Sequence, residues 1–360
     1  MNIECRAGPL QASSAPLTGS VLHAVKSVGD HSRHPREVLL GAQAAANFLP
    51  VCDHYSGVQA RMRKSLQLQA EMTEEFGACV FDVTLDCEDG APVGGEADHA
   101  AMVVALATHA SDKARVAVRV HPVDHPAFDS DMATIAGKLA DRLVHIMVPK
   151  VETVADVMKA ERALVAASAL HLPLHVLIES PAAVHRAFDI AAHPRVQSLS
   201  FGLMDFVSAH GGAIPAEGMS SQGQFTHPLV VRAKLEIASA CHAHGKVPSH
   251  CVVTEFSNTE AIKAAAGKAA RELGYTRMWS IHPDQIRPIL EAFSPSEAEI
   301  EVATKIIAAA AHSNWAPINF DGKLHDRASY RYFWQVLERA HQTGRPLPAE
   351  AQVYFQATSR

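Results

Sequence analysis

LHVLIESPAAVHRAFDIAAHPRVQSLSFGLMDF, residues 174–206, decides how the chain folds. It opens with an apolar, β-rich run ending on Glu179 and passes through Ser180 and Pro181 into an alanine-rich amphipathic segment. It closes on a second apolar run that ends on Asp205. A short apolar run, a helical segment and another such run form the βαβ unit of a parallel sheet, whose strands are buried on both faces and so show no alternation. Ser180 followed by Pro181 supplies a helix cap and a first-turn proline. Glu179 and Asp205 then stand at the same end of neighbouring strands, the carboxyl end, where parallel α/β architectures bind their ligands. An acid beside a helix N-terminus is also favourable, by roughly a few tenths of a kcal/mol, without any function. The rest of the chain must therefore show whether the two acids form a site.

Outward from this stretch the pattern repeats. Eight apolar runs are spaced along the chain: FLPV at 48–51, VFDVTLD at 80–86, RVAVRV at 115–120, HIMVP at 145–149, LHVLIE at 174–179, SLSFG at 198–202, VPSHCV at 247–252 and RMWSI at 277–281. Helical spacing fills the intervals, for example at 59–75, 152–168, 228–243 and 259–273. Eight strand–helix units are the number that closes a TIM (β/α)8 barrel. A doubly wound open sheet would use fewer strands and a glycine-rich turn after the first, whereas FLPV runs into CDHYSG. Polar residues follow each run: Asp53, His54 and Tyr55; Glu88 and Asp89; Arg119 and His121; Lys150 and Glu152; Glu179; Asp205; His250 and Cys251; His282. Catalytic groups in barrels come from the ends of several strands, so such a ring is expected of an enzyme of this class.

Composition narrows the functional classes. The chain has 360 residues, 48% of them hydrophobic, enough for one barrel with appendages. A net charge of −6 and the lack of a basic block interleaved with aromatics argue against nucleic-acid binding. No apolar run approaches the length of a membrane span. The six cysteines show no CxxC spacing, which fits reduced thiols in a cytoplasmic protein. The expected organisation is an N-terminal extension at 1–36, a barrel at 37–312 and a C-terminal lid or subunit-contact segment at 313–360. The first segment lacks the continuous apolar stretch of a secretory signal but leaves room for an organellar transit segment. An Ala/Ile-rich helix at 296–311 is opened by Ser294 or Ser296 with acids following. Beyond it Tyr330, Tyr332, Phe333 and Trp334 crowd together in a chain only 6% aromatic, as for a packing surface or an extra core helix.

The ordered motifs LDCED, VRVHP, MVPKVE, LIES, FGLMDF and SIHPDQI, followed by an AFSPSEAEI helix, resemble the citrate lyase β-subunit-like family. That family includes malyl-CoA and citramalyl-CoA lyases and lies within the HpcH/HpaI aldolase superfamily; the resemblance spans roughly residues 45–312. It implies a TIM barrel whose C-terminal extension covers a neighbour's site in a homotrimer or homohexamer. It implies Mg2+ held by Glu179 and Asp205, an arginine at Arg119, and motif acids at Glu88 and Asp89. It implies reversible carbon–carbon cleavage of a 3-hydroxyacyl thioester, or a related hydroxy acid, to a 2-oxoacid and an acyl product. Gly202, Leu203 and Met204 would line the substrate. Asp321, or else Asp326, would supply the base from the extension.

The residue types suit that chemistry. Mg2+ takes oxygen ligands and commonly only one or two protein carboxylates. It acts as a Lewis acid on a carbonyl. Arg119 either meets the developing oxyanion or forms a structural ion pair with Glu88, and both roles are compatible. The chain departs from the family pattern at Glu96 and Ala100, where lysine and arginine are usual, at Arg277 and Met278 in place of a GK pair, and at His250 in place of an aspartate. These departures bear on the thioester end of the pocket and so on whether coenzyme A is the carrier, and the missing lysine and arginine suggest a non-catalytic partner subunit as one alternative; a thioesterase on the same scaffold is another. His250–Cys251 and Cys52–Asp53–His54 could also be read as zinc or thiol chemistry, though neither has metal-ligand spacing alone. HPVDHP at 121–126 reads as a rigid proline loop.

Overall fold

The computed structural model describes residues 34–41 and 49–356. Eight parallel strands, β1 (Cys52–Ser56), β2 (Phe81–Asp86), β3 (Val116–Arg119), β4 (Leu143–Val148), β5 (Leu174–Ile178), β6 (Val196–Phe201), β7 (Val247–His250) and β8 (Arg277–Ser280), close into a barrel in sequence order. Seven of them fall on the expected apolar runs. The first does not. FLPV begins on Phe48, outside the described residues, and continues as non-strand chain, while β1 is CDHYS. Asp53, His54 and Tyr55 therefore lie within a strand rather than after it. Its polar residues have polar partners on both faces, Asp53 with Arg277 and Thr84 inside the barrel, His54 with Ser280 and Ser56 with Ser65 of the following helix outside it, which hides the strand from a search for apolar runs.

The helices meet the expected positions: Gln59–Phe76, Val154–Ala166, Pro228–Ala243 and Thr259–Arg271 each connect two strands. Ser180 accepts a hydrogen bond from the Ala183 N–H, with Pro181 at the first position of the helix it caps. The main apolar core lies between the outer faces of the strands and these helices, with Val83, Val118, Val176, Ile237 and Ala265 among its members. A separate small cluster, Met147, Leu177 and Trp279 with Tyr55 and Val252 against it, fills the barrel interior.

Below that cluster the interior is ionic. Arg277 is fully buried and pairs with Asp53 at 2.9 Å and Asp82 at 2.7 Å; Arg115 takes the other Asp82 oxygen at 2.6 Å, and Thr84 donates to Asp53 at 2.7 Å. Two carboxylates thus face two guanidinium groups.

A second core stands beside the barrel. The helix Glu297–His312 packs on the helix Arg327–Gln342, burying Ile300, Ile306, Ile307, Tyr330, Trp334 and Leu337 together with Leu39 of the short helix Pro35–Leu40. Ser296 forms the capping box with Glu299. Tyr330 and Trp334 are thus core residues, whereas Tyr332 is 57% exposed.

Candidate active site at the carboxyl end of the barrel

Arg119, the last residue of β3, is held on three sides. Its Nε and Nη2 donate to the two oxygens of Asp86, each at 2.6 Å, and its Nη1 lies 2.9 Å from Glu88 Oε2. The faces of Tyr55 and Trp279 lie 5.0 and 5.9 Å from its carbon, which fixes the guanidinium plane. Burial acts to lower its pKa, but the charge and hydrogen bonds of Asp86 outweigh this and raise it, so the group stays charged. A guanidinium has five N–H donors; two are given to Asp86, and Nη1 faces Glu88 as an ion pair without a hydrogen bond, which leaves three N–H groups uncommitted. Asp86 is the first acid of the LDCED motif, yet it was absent from the sequence candidates. The usable signal was period two: Asp86 and Arg119 are paired across β2 and β3 and end their strands together.

Asp86 is itself fixed by the Glu88 N–H at 3.0 Å and the Gly90 N–H at 2.8 Å. Gly90 must be glycine because a Cβ there would lie 2.3 Å from an Asp86 oxygen. Glu88, buried at the mouth, is bridged on its second oxygen by Lys150, whose Nζ donates to Oε1 at 2.6 Å. Asp89 points outward, exposed, with its nearest oxygen 3.7 Å from Lys150. The two motif acids therefore differ in what they touch, and only Glu88 reaches Arg119.

Glu179 follows β5 directly and is 6% exposed. Asp205 lies in the first turn of the helix Leu203–Ser208, just past β6. Burial pushes the Glu179 carboxyl up to about 8, helped by the negative charges of Asp205 and Glu88 and opposed by Arg119 and Lys150. Gly202 allows this packing, since a Cβ there would lie 2.4 Å from Glu179 Cγ. Four carboxylates, Asp86, Glu88, Glu179 and Asp205, thus share the mouth with two cations, Arg119 and Lys150. With all four ionised the excess is two negative charges, which a divalent, oxygen-seeking ion would neutralise; among the described residues Asp86 and Glu88 pair with Arg119 and Lys150, whereas Glu179 and Asp205 form no ion pair.

The other candidates are placed differently. Leu203 is buried in the main core, and Met204 packs half-buried against it. Asp321 is exposed, with φ of 50°, in the turn between β9 (Ile318–Phe320) and β10 (Lys323–His325), a hairpin on the C-terminal extension. Asp326 caps the helix Arg327–Gln342, accepting from the Ala328 and Ser329 N–H groups. His250 and Cys251 are buried, and burial raises the Cys251 thiol pKa, which does not favour a nucleophile. Burial likewise pushes Cys52 up to about 12 and His54 down to about 4. The HPVDHP loop is tied down by Asp131, which accepts from both the backbone N–H and Nδ1 of His121.

Asp53, His145 and His175 bring ligand atoms within 4.8 Å of one another in the barrel interior. This cluster does not suit a cation. The two imidazole rings stack at 3.5 Å, so their in-plane lone pairs do not converge, and Asp53 already pairs with Arg277. A cleft of about 900 Å³ lined by Gln69, Cys79, His109 and Lys113 opens near the amino ends of β2 and β3, away from the acids.

Residues 66–283 match the family described as HpcH/HpaI aldolase/citrate lyase. An L-malyl-CoA/β-methylmalyl-CoA lyase of Cereibacter sphaeroides is 31% identical over 289 residues, covering 74% of this chain and 90% of that protein. The crystal structure of a citrate lyase from Burkholderia xenovorans LB400 aligns with a TM-score of 0.73 and 47% identity over 90% of this chain and 99% of that one. The protein CitE of Mycobacterium tuberculosis, solved with magnesium, acetoacetate and coenzyme A, shares the fold at 21% identity and a TM-score of 0.60, over 81% of this chain and 98% of that one. Motif order, barrel topology and these likenesses agree: the chain belongs to the HpcH/HpaI aldolase/citrate lyase family, a family of carbon–carbon lyases.

Proposed function

We propose that the protein is a Mg2+-dependent lyase of the aldol or Claisen type that cleaves a small 3-hydroxyacyl thioester, such as malyl- or citramalyl-CoA, or a related hydroxy acid, to a 2-oxoacid and an acyl product. The observation that carries this reading is Glu179 and Asp205 at the barrel mouth, neither of them held in an ion pair, beside an arginine that still has donors to give. Glu179 and Asp205 would hold the ion. When bound, Mg2+ supplies Lewis-acid polarisation of the carbonyl at which the bond is made or broken. Arg119 is pre-oriented by Asp86 and would offer its uncommitted N–H groups to the oxyanion that develops, with no reorganisation needed during reaction. Glu88 keeps that guanidinium and Lys150 in register. Gly202 lets Glu179 reach the mouth. The base would come from Asp321 on the extension of a neighbouring copy in a homotrimer or homohexamer.

The test is a magnesium-supplemented assay of malyl-, citramalyl- and methylmalyl-CoA beside the free acids, with trapping of the 2-oxoacid. Glu179→Gln or Asp205→Asn is expected to lower turnover by about a hundredfold or more and to remove its dependence on Mg2+, with the circular dichroism spectrum unchanged. Free coenzyme A without a 2-oxoacid would make the protein a thioesterase. Mg2+ binding with no turnover of any of these compounds would make it a non-catalytic partner subunit.

A further inference from the structure

Lys150 stands one residue past Pro149 at the end of β4 with a backbone φ of 53°, in the left-handed region that glycine occupies without strain. A lysine there makes side-chain contacts that a glycine could not. Its Nζ donates to Glu88 Oε1 at 2.6 Å, while Arg119 Nη1 faces Glu88 Oε2 at 2.9 Å as an ion pair without a hydrogen bond. Both oxygens of a buried carboxylate are therefore occupied by cations, one a rigid guanidinium and the other a flexible ammonium whose side chain is 41% exposed. Glu88 lies near enough to Glu179 for its charge to act on it. Released from Lys150, it would be a third carboxylate within the same acidic mouth.

Resting on the reading that Glu179 and Asp205 hold a divalent ion, we propose that Lys150 is a positioning residue that keeps Glu88 off that ion. The ion then has two protein carboxylates and open places for substrate oxygens. A third carboxylate would bind it more tightly and close one of those places, which favours metal retention over catalysis. Removing a partner that orients a ligand set typically costs about tenfold or more in metal affinity, which sets the scale; the sign here is reversed because removal frees a further carboxylate for the ion.

The experiment compares the full-length protein with Lys150→Met, Lys150→Arg and the double variant Lys150→Met/Glu88→Gln. Mg2+ affinity is measured by titration calorimetry, and the water molecules on bound Mn2+ are counted by proton relaxation. Lys150→Met is expected to bind Mg2+ about tenfold more tightly, to lose inner-sphere water and to fall in kcat. Lys150→Arg should keep wild-type behaviour, and Glu88→Gln in the double variant should restore the water count. Tighter binding with an unchanged water count would be simple charge removal and would overturn the proposal, as would unchanged or weaker binding in a Lys150→Met protein that melts like the wild type. If the wild type binds no Mg2+ at all, the metal reading fails first and this inference with it. If the wild type binds it and Glu179→Gln does not, the metal reading stands and Lys150→Met alone decides.

Discussion

The barrel contains two ionic layers that use the same residue types to opposite ends. In the floor, Asp53 and Asp82 face Arg115 and Arg277, two negative charges against two positive. In the mouth, Asp86, Glu88, Glu179 and Asp205 face only Arg119 and Lys150. Charges in a low-dielectric interior are tolerated when each faces an opposite charge, and the floor is balanced in that sense even though Arg277 Nε and Asp53 Oδ2 make no hydrogen bond. The mouth is left unbalanced and open at the carboxyl end of the strands. The difference separates structure from site better than burial or residue type does, since both layers are rich in buried acids.

Breaking the floor should therefore cost the fold. Removing one partner of a buried pair strands the other, and Arg277 is the partner of two carboxylates as well as a donor to the Pro50 carbonyl at 2.7 Å. Arg277→Met is expected to lose about 3–5 kcal/mol in urea unfolding, or to prevent soluble expression. A loss below about 1 kcal/mol would mean that the floor relaxes and that balance is not what holds it.

Breaking the mouth should do the reverse in the absence of metal. Folding raises the Glu179 carboxyl from 4.5 to about 8, so the folded state holds an extra proton between those values. Stability is then greatest below pH 4.5 as far as this group is concerned, falls as pH rises through the window, and is lowest above about 8. In the presence of EDTA, urea midpoints should fall between pH 5 and pH 8 by an amount worth a few kcal/mol at most. Glu179→Gln should flatten that slope. Mg2+ should flatten it too, because an ion between the acids replaces the proton. The same slope in Glu179→Gln would place its origin elsewhere.

The same contrast shows how far the sequence could be read. The strand count, the βαβ unit at 174–206 and the positions of Glu179 and Asp205 at the carboxyl ends of their strands were legible, because apolar runs mark strands and an acid at the end of a run marks the mouth; Arg119 came from the resemblance of the VRVHP motif. β1 was misplaced because Asp53 and His54 are polar in a strand, and polarity there reflects partners, Arg277 and Ser280, that come from over 200 positions away. Asp86 was missed for the same reason: its value lies in a two-pronged contact with a residue on the next strand, whereas Glu88 and Asp89 drew notice as post-strand acids. The ring of polar residues was real as a list but mixed the two layers. Pairing of charges is a property of three-dimensional neighbours, and one sequence does not display it.

Asp89 offers the smallest effect and the cleanest discrimination. It sits one position from Glu88, carries the same charge, and belongs to the same motif, so a reading based on net acidity at the mouth makes it equal to its neighbour. Its geometry says otherwise: the side chain is exposed, and its approach to Lys150, at 3.7 Å, is longer than the 2.6 Å bridge from Glu88. Water screens a charge placed like this, and exposed pairs contribute at most about 1 kcal/mol. Asp89→Asn should therefore change stability by less than about 0.5 kcal/mol and Mg2+ affinity by less than about threefold. Glu88→Gln, in contrast, should loosen both Arg119 and Lys150 and lower turnover. Should Asp89→Asn prove as damaging as Glu88→Gln, then total charge at the mouth, and not the contacts of each carboxylate, governs the site, and the distinction between a paired floor and an unpaired mouth would need to be redrawn around field strength.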